Sequence, residues 1–233
     1  MTYYCSMQTL PCNLHDCLLC QHCIPEWKDA IAVKKKTIVV KKGKKLFEQG
    51  EKVNGIFFMY SGYAKIHTQW SEKKELILRF ARKGDLVGHR GLIDGEVYPV
   101  SATALDDMEA CYISNEFLEA SLRINPSLTY KFMQVYALEL QKAEKRMRDL
   151  AHMDVNARIA GALLEITDFF GLNKDHYVTV PITRQDIASY AGTTYETVFK
   201  FLRILTRAKA ITLAGKSIRI NNRDKLAETT NYK

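Results

Sequence analysis

The chain has 233 residues, 47% hydrophobic and 26% charged, with a formal net charge of +8, which is long enough for one large or two modest cores and too apolar for disorder. No uncharged apolar run approaches the ~18 residues of a spanning helix, and the opening Met1-Thr2-Tyr3-Tyr4-Cys5 shows no basic stretch followed by an apolar one; a cytoplasmic, reducing home without membrane contact or structural disulfides is therefore expected. The positive charge suits a polyanion but does not by itself establish one.

Five of the six cysteines (Cys5, Cys12, Cys17, Cys20 and Cys23) crowd the first 23 residues, and the sixth is Cys111. Core cysteines have no reason to cluster in this way, so residues 1–30 are set apart as a cysteine-rich arm. In Cys17-x2-Cys20-x2-Cys23, thiolates three apart can converge on neighbouring irons of an iron–sulfur cluster. Structural zinc, held by cysteine with His15 or His22, is an alternative; an arm without metal is another. No histidine is marked out for haem: His67, His89, His152 and His176 are expected at the surface or hydrogen-bonded.

From Thr37 to about Ile113, short apolar runs alternate with turn residues: Thr37–Val40, Leu46-Phe47, Gly55–Tyr60, Tyr63–Trp70 and Leu76–Phe80. Short Ile-, Val-, Phe- and Tyr-rich runs at this spacing predict an antiparallel sandwich or roll over residues 31–125. Gly43, Gly50, Gly62 and Gly84 suit the positive φ of tight turns. The lysines at 34–36 and 41–45 read as solvated strand edge.

From Pro126 the period becomes helical. Met133, Tyr136, Leu140, Ala143, Met147 and Leu150 follow one another at alternating spacings of three and four, a narrow seam that predicts a two-helix interface, and hence a homodimer, over residues 126–151. A helix packed on its own domain is the alternative. Residues 152–233 carry further helical stretches (157–170, 184–191 and 194–208) and a hairpin, with strands at 210–213 and 217–220 and its turn at Ala214-Gly215.

The stretch from Arg184 to Arg203 reads as two helices crossing at a turn. Ala188 permits close approach, Gly192 permits the turn, and Thr194 can cap the second helix, with Thr197 three positions on. Packing Val198, Phe201 and Leu202 inward leaves Tyr195, Glu196, Phe199 and Lys200 outward, where a recognition helix meets the major groove. A glutamate there can accept from cytosine and a lysine can donate to guanine. Thr183 and Arg184 lie where phosphate would approach.

These residues resemble the CRP/FNR superfamily: Ile182–Ala188 with Gly192 and Glu196-Thr197-Val198 is similar to its helix-turn-helix. Gly50-Glu51, Ser61-Gly62 and Gly84–Gly88 are similar to turns of its cyclic-nucleotide-binding-like roll, and residues 133–150 to its dimer helix. The resemblance implies an α+β chain with an antiparallel β-roll sensor domain (of the double-stranded β-helix or jelly-roll kind), a long dimerisation helix and a C-terminal winged helix-turn-helix. It implies a homodimeric transcription regulator that binds a palindromic operator in double-stranded DNA and meets RNA polymerase. Lys200 stands where the family commonly carries arginine, and Phe199 where small residues are common.

In cyclic-nucleotide-binding members, a Gly-Glu-Leu turn and a later arginine hold the ribose and phosphate. Here Gly84-Asp85-Leu86 shortens the acid and Val100 precedes Ser101, so cAMP is not expected even with Arg90 as a substitute donor in principle; a weak effector pocket would comprise Gly84, Asp85, Leu86, Arg90 and Ser101. The arm resembles that of oxygen-sensing FNR proteins, which implies a [4Fe–4S] cluster and switching by redox, oxygen or nitric oxide. Cys17, Cys23 and Cys111 are the favoured ligands, with Cys12 or Cys20 as the fourth. The alternative is a small-molecule effector in the roll, with zinc or no metal on the cysteines. No nucleophile elbow, HExxH, phosphate loop or acid/base pair marks an enzyme.

Overall fold

The computed structural model describes residues 6–8, 17–71, 74–92, 97–180 and 182–230. Of these, residues up to 69 and from 78 to 140 form one compact unit, and residues 70–77 and from 141 onward form another.

The first part of the chain runs through β1 (Ser6–Gln8), α1 (Leu18–His22), α2 (Trp27–Lys34), β2 (Lys36–Val40), β3 (Lys45–Phe47), β4 (Gly55–Ser61), β5 (Ala64–Ser71), β6 (Lys74–Ala81) and β7 (Leu86–Val87). A 3-10 turn at His89–Leu92 precedes β8 (Ser101–Ala104), β9 (Met108–Ser114), α3 (Asn115–Ile124) and the long α4 (Pro126–His152). Among the described residues the strands make two sheets, ordered β1-β2-β9-β4-β7 and β3-β8-β5-β6.

Strand alternation divides the apolar side chains into two cores. From β4, Phe57 and Met59 enter a core inside the roll with Phe47, Ile66, Tyr98, Val100 and Met108. Their neighbours Ile56 and Phe58 point the other way, into a core with Leu19 and Ile31 of α1 and α2, Leu118 of α3, and Leu128 and Phe132 of α4. Because β4 is covered on both faces, it reads as an unbroken apolar run rather than an alternating one. On β9, Met108 and Ala110 face the roll interior, while Cys111 and Ile113 face the helices. The turn glycines 43, 50, 62 and 84 all carry positive φ. At Gly62 a Cβ would also lie 2.6 Å from the Met108 Cβ, so a side chain is excluded twice over.

The second part contains α5 (Val155–Phe170), α6 (Arg184–Ala191), α7 (Tyr195–Arg207), the hairpin of β10 (Ile211–Ala214) and β11 (Ser217–Ile220), and α8 (Arg223–Thr229). Its core is built from Ile159, Leu163, Ile166, Ile187, Val198, Leu202 and Leu226, all buried.

Three expectations shift. Lys34 closes α2 rather than edging a strand; its helix is pinned by the Trp27 indole, which stacks on Phe117 and donates to the Ser121 hydroxyl at 2.9 Å. The hairpin turn is centred on Gly215-Lys216, one residue later than expected, because Ala214 pairs with Ser217. Helices α1, α2, α3 and α8 were not expected from the sequence at all.

Candidate nucleic-acid interface and cysteine cluster

Helix α6 starts from a capping box. The Thr183 hydroxyl accepts from the Asp186 amide at 3.0 Å, and the Asp186 carboxylate accepts from the Thr183 amide at 3.1 Å. The helix ends at Gly192, in the left-handed region at φ 63°, ψ 46°. Two residues later Thr194 caps α7 by accepting from the Thr197 amide at 3.3 Å. Each cap satisfies donors that a helix start leaves orphaned. Val198, Phe201, Leu202 and Leu205 are buried, and burial of one such side chain stabilises by about 1.5–3 kcal/mol.

That burial fixes the roll of α7 about its axis and leaves Tyr195, Glu196, Phe199, Lys200 and Arg203 exposed. Tyr195, Phe199 and Arg203 form one stripe at helical spacing, and Glu196 with Lys200 a second beside it. The expectation missed Arg203, whose signal was only its place four residues past Phe199. The Thr183 hydroxyl is committed to its cap, and Arg184 donates to the Gly215 carbonyl of the hairpin turn at 3.3 Å. Both expected phosphate-side residues therefore also shape the scaffold.

Sequence reading also missed Arg158. Its guanidinium donates to the carbonyls of Ala191 at 3.1 Å and Met153 at 2.9 Å, with longer bonds to Leu150 and Gly192 at 3.4 Å. These are carbonyls that helix ends leave without partners, so one side chain ties the end of α4 to the turn after α6.

On α4, Met133, Leu140 and Met147 are 63%, 61% and 68% exposed, and Ala143 is exposed as well. Tyr136 departs from the expected seam: it packs on the helix-side core and donates to the His89 carbonyl at 2.8 Å. Leu150 is half-buried, and its side chain borders Gly192. The outward stripe is thus Tyr130, Met133, Ala137, Leu140 and Met147, rolled toward one side of the expected seam. On the side of α4 turned to its own domain, with Leu128, Phe132 and Tyr136, Glu139 faces Arg79 at 3.1 Å, His89 at 3.2 Å and Arg90 at 3.1 Å. Burial would raise its pKa, but the His89 hydrogen bond and the two guanidiniums overcome that and hold it at about 2.

The described cysteines gather on one side of the β4–β9 sheet. Cys20, Cys23 and Cys111 are buried in the helix-side core, with Cys17 packed against it. Cys17 and Cys111 line one small pocket with Leu18, Phe58 and Gly84. A hydrogen bond from Cys20, helped by the backbone amides of Cys20 and Leu19, lowers the Cys17 thiol to about 6 against its burial. Burial, reinforced by Cys17, pushes Cys23 up to about 11. Among the described residues, no three His, Cys, Asp or Glu side chains stand ready to chelate a metal ion; Cys5, Cys12 and His15 lie outside them.

The expected effector pocket does not assemble. Asp85 is spent on its own turn, accepting from the Arg82 amide at 2.9 Å. Arg90 is paired with Glu139, the Ser101 hydroxyl accepts from the Gln49 amide at 2.9 Å, and Leu86 lies in the helix-side core rather than the roll. The roll interior is filled by Phe47, which stacks on Tyr98 at 4.2 Å and on Phe57 at 5.6 Å. The Tyr98 hydroxyl donates to the Gly55 carbonyl at 2.7 Å, and Val100 is buried in the same core.

Two family models match the chain: a cyclic nucleotide-binding domain over residues 37–125 and a Crp-like helix-turn-helix domain over residues 157–229. The chain is 29% identical to the fumarate and nitrate reduction regulatory protein of Vibrio cholerae, over 95% of this chain and 92% of that one. It is 29% identical to the anaerobic regulatory protein of Bacillus subtilis, over 86% and 85%. Its fold is similar to that of FixK2 from Bradyrhizobium japonicum, with a TM-score of 0.74 and 24% identity over 85% and 98%. Among the described residues no helix is long and apolar enough to cross a membrane. With a β-roll followed by a winged helix-turn-helix, and with relatives that are regulators rather than enzymes, this chain belongs to the CRP/FNR superfamily of transcription regulators.

Proposed function

We propose that two copies of this chain, joined along α4, bind a palindromic operator through α7 and are switched by a cysteine-bound [4Fe–4S] cluster rather than by cAMP. The observation that carries the switch is the gathering of Cys17, Cys20 and Cys23 with the distant Cys111 in one core. Soft thiols are the donors that iron–sulfur clusters take, and a thiolate at Cys17 suits that chemistry. Cys17, Cys23 and Cys111 would hold the cluster, with Cys12 or Cys20 as the fourth ligand. When bound, it supplies a group labile to oxygen, nitric oxide and changes of redox state.

The route from cysteines to dimer is a shared core. Leu128, Phe132 and Tyr136 of α4 pack in the same cluster of side chains as the thiols. The arm is also tied to the start of α4, because the Ile24 amide donates to the Asn125 side chain at 2.7 Å. Repacking around the cysteines therefore biases the face that α4 offers its partner, and with it the spacing of the two α7 helices. Two half-sites one DNA turn apart are read only when that spacing is right. RNA polymerase is the further partner expected at the promoter.

The test is an absorption spectrum, with metal analysis, of protein purified without oxygen. A brown, air-bleached sample with about four irons per subunit, lost in Cys111→Ser, supports the switch. Colourless protein carrying zinc or no metal overturns it. Serine variants of Cys12 and Cys20, one at a time, identify the fourth ligand by which of them loses iron.

A further inference from the structure

The N-terminal half of α7 carries a feature that a merely solvated helix face has no reason to keep. Tyr195 and Phe199 are each 41% exposed, and their rings stack with centroids 6.3 Å apart and planes within 12°. The Arg203 guanidinium lies 6.0 Å from the centroid of the Phe199 ring, continuing the stripe. Single exposed aromatics are common, but here two form a continuous apolar shelf on the helix that the domain turns outward. Beside them, Glu196 and Lys200 offer an acceptor and a donor.

We infer that Tyr195 and Phe199 read the C5-methyl groups of thymines in the operator half-site, next to a base pair read by Glu196. This rests on the DNA-binding reading of α7 and adds to it the class of sequence recognised. The Phe199 ring has no polar atom to satisfy guanine O6 and N7 or a cytosine amine, and Tyr195 carries one only at its hydroxyl tip, so polar base edges left against the ring faces lose hydrogen bonds. The thymine methyl is the one apolar group in the major groove, and phenylalanine is among its usual partners. The dimensions agree. Residues four apart in a helix stand ~6 Å apart along its axis, and two steps of DNA rise ~6.8 Å, so the two rings cover methyls within three successive base pairs. Arg203, past the shelf, is placed to pair with a phosphate at its edge.

The experiment begins with operator selection from random DNA by the full-length protein. Each thymine of the selected half-site is then replaced by deoxyuridine, which removes the methyl and nothing else. At the positions under the shelf, wild-type affinity should fall about three- to fivefold per methyl, while Phe199→Ala should bind the thymine and uracil duplexes alike. The uracil scan on wild-type protein decides the matter even if the variant folds poorly. A protein that selects an operator yet tolerates uracil at every position overturns the methyl contact and leaves the DNA reading standing. Failure to select any sequence overturns both.

Discussion

A Cβ placed on Gly192 would lie 2.7 Å from the Leu150 Cδ2, at a backbone φ of +63°. The residue that turns the chain between α6 and α7 is thereby held against the last turns of α4. An L side chain at this φ costs about 1–2 kcal/mol, and the leucine must also move. Gly192→Ala is expected to lower stability by about 1–2 kcal/mol in urea unfolding, and to weaken operator binding further through a displaced α7. An unchanged urea midpoint would show that the turn tolerates the side chain.

Arg158 secures the same junction by hydrogen bonding. Arg158→Met keeps the aliphatic stem but leaves the Ala191 and Met153 carbonyls without the guanidinium. Hydrogen bonds to a charged group contribute about 1.5–3 kcal/mol, and a loss of that size is expected. Lysine should rescue it only in part, since a single ammonium cannot reproduce a planar fork aimed at several carbonyls.

The Glu139 cluster gives stability a pH signature. Its carboxyl falls from an ordinary 4.5 to about 2 in the folded protein, so its contribution is full above pH ~4.5 and is lost as pH falls toward 2. That displacement corresponds to stabilisation on the order of 3 kcal/mol. Glu139→Gln should be less stable at neutral pH, and its deficit should shrink across this acid window. A deficit that stays constant down to pH 2 would mean that Glu139 packs but does not pair.

The outward stripe of α4 is where a partner helix is expected. Leu140→Glu places a charge on a side chain that is 61% exposed in the single chain, so the fold should survive. Sedimentation should show a dimer for wild type and a monomer for the variant, with operator affinity lost and secondary structure kept. A dimer that persists in this variant would move the interface elsewhere.

How far the sequence carried the reading depended on how local each signal was. The helix-turn-helix was legible because Ala188, Gly192, Thr194 and Val198 do their work within a few residues of one another. Strands β2 to β6 of the roll were legible as apolar runs between turn residues, whereas β1, β7, β8 and β9 were not singled out. The seam on α4 was only half legible, because periodicity cannot tell a side chain facing a partner from one facing its own domain. Tyr136 sits in the right register, but it is claimed by His89 and the helix-side core. Arg158 and Glu139 carried no sequence signal, since their partners are backbone carbonyls and distant charges brought near only by folding. The effector pocket failed for the opposite reason. Asp85, Arg90 and Ser101 lie in turns that resemble the family's, but each is satisfied by a separate neighbour.

The most direct test of the account is equilibrium binding of a selected operator, and of random duplex, by wild type and Glu196→Ala across a range of salt. The account predicts salt-sensitive, sequence-specific binding by wild type, with the variant losing about 1–3 kcal/mol on the operator and little on random DNA. Equal loss on both duplexes, or no specific binding by wild type with or without oxygen, would contradict it.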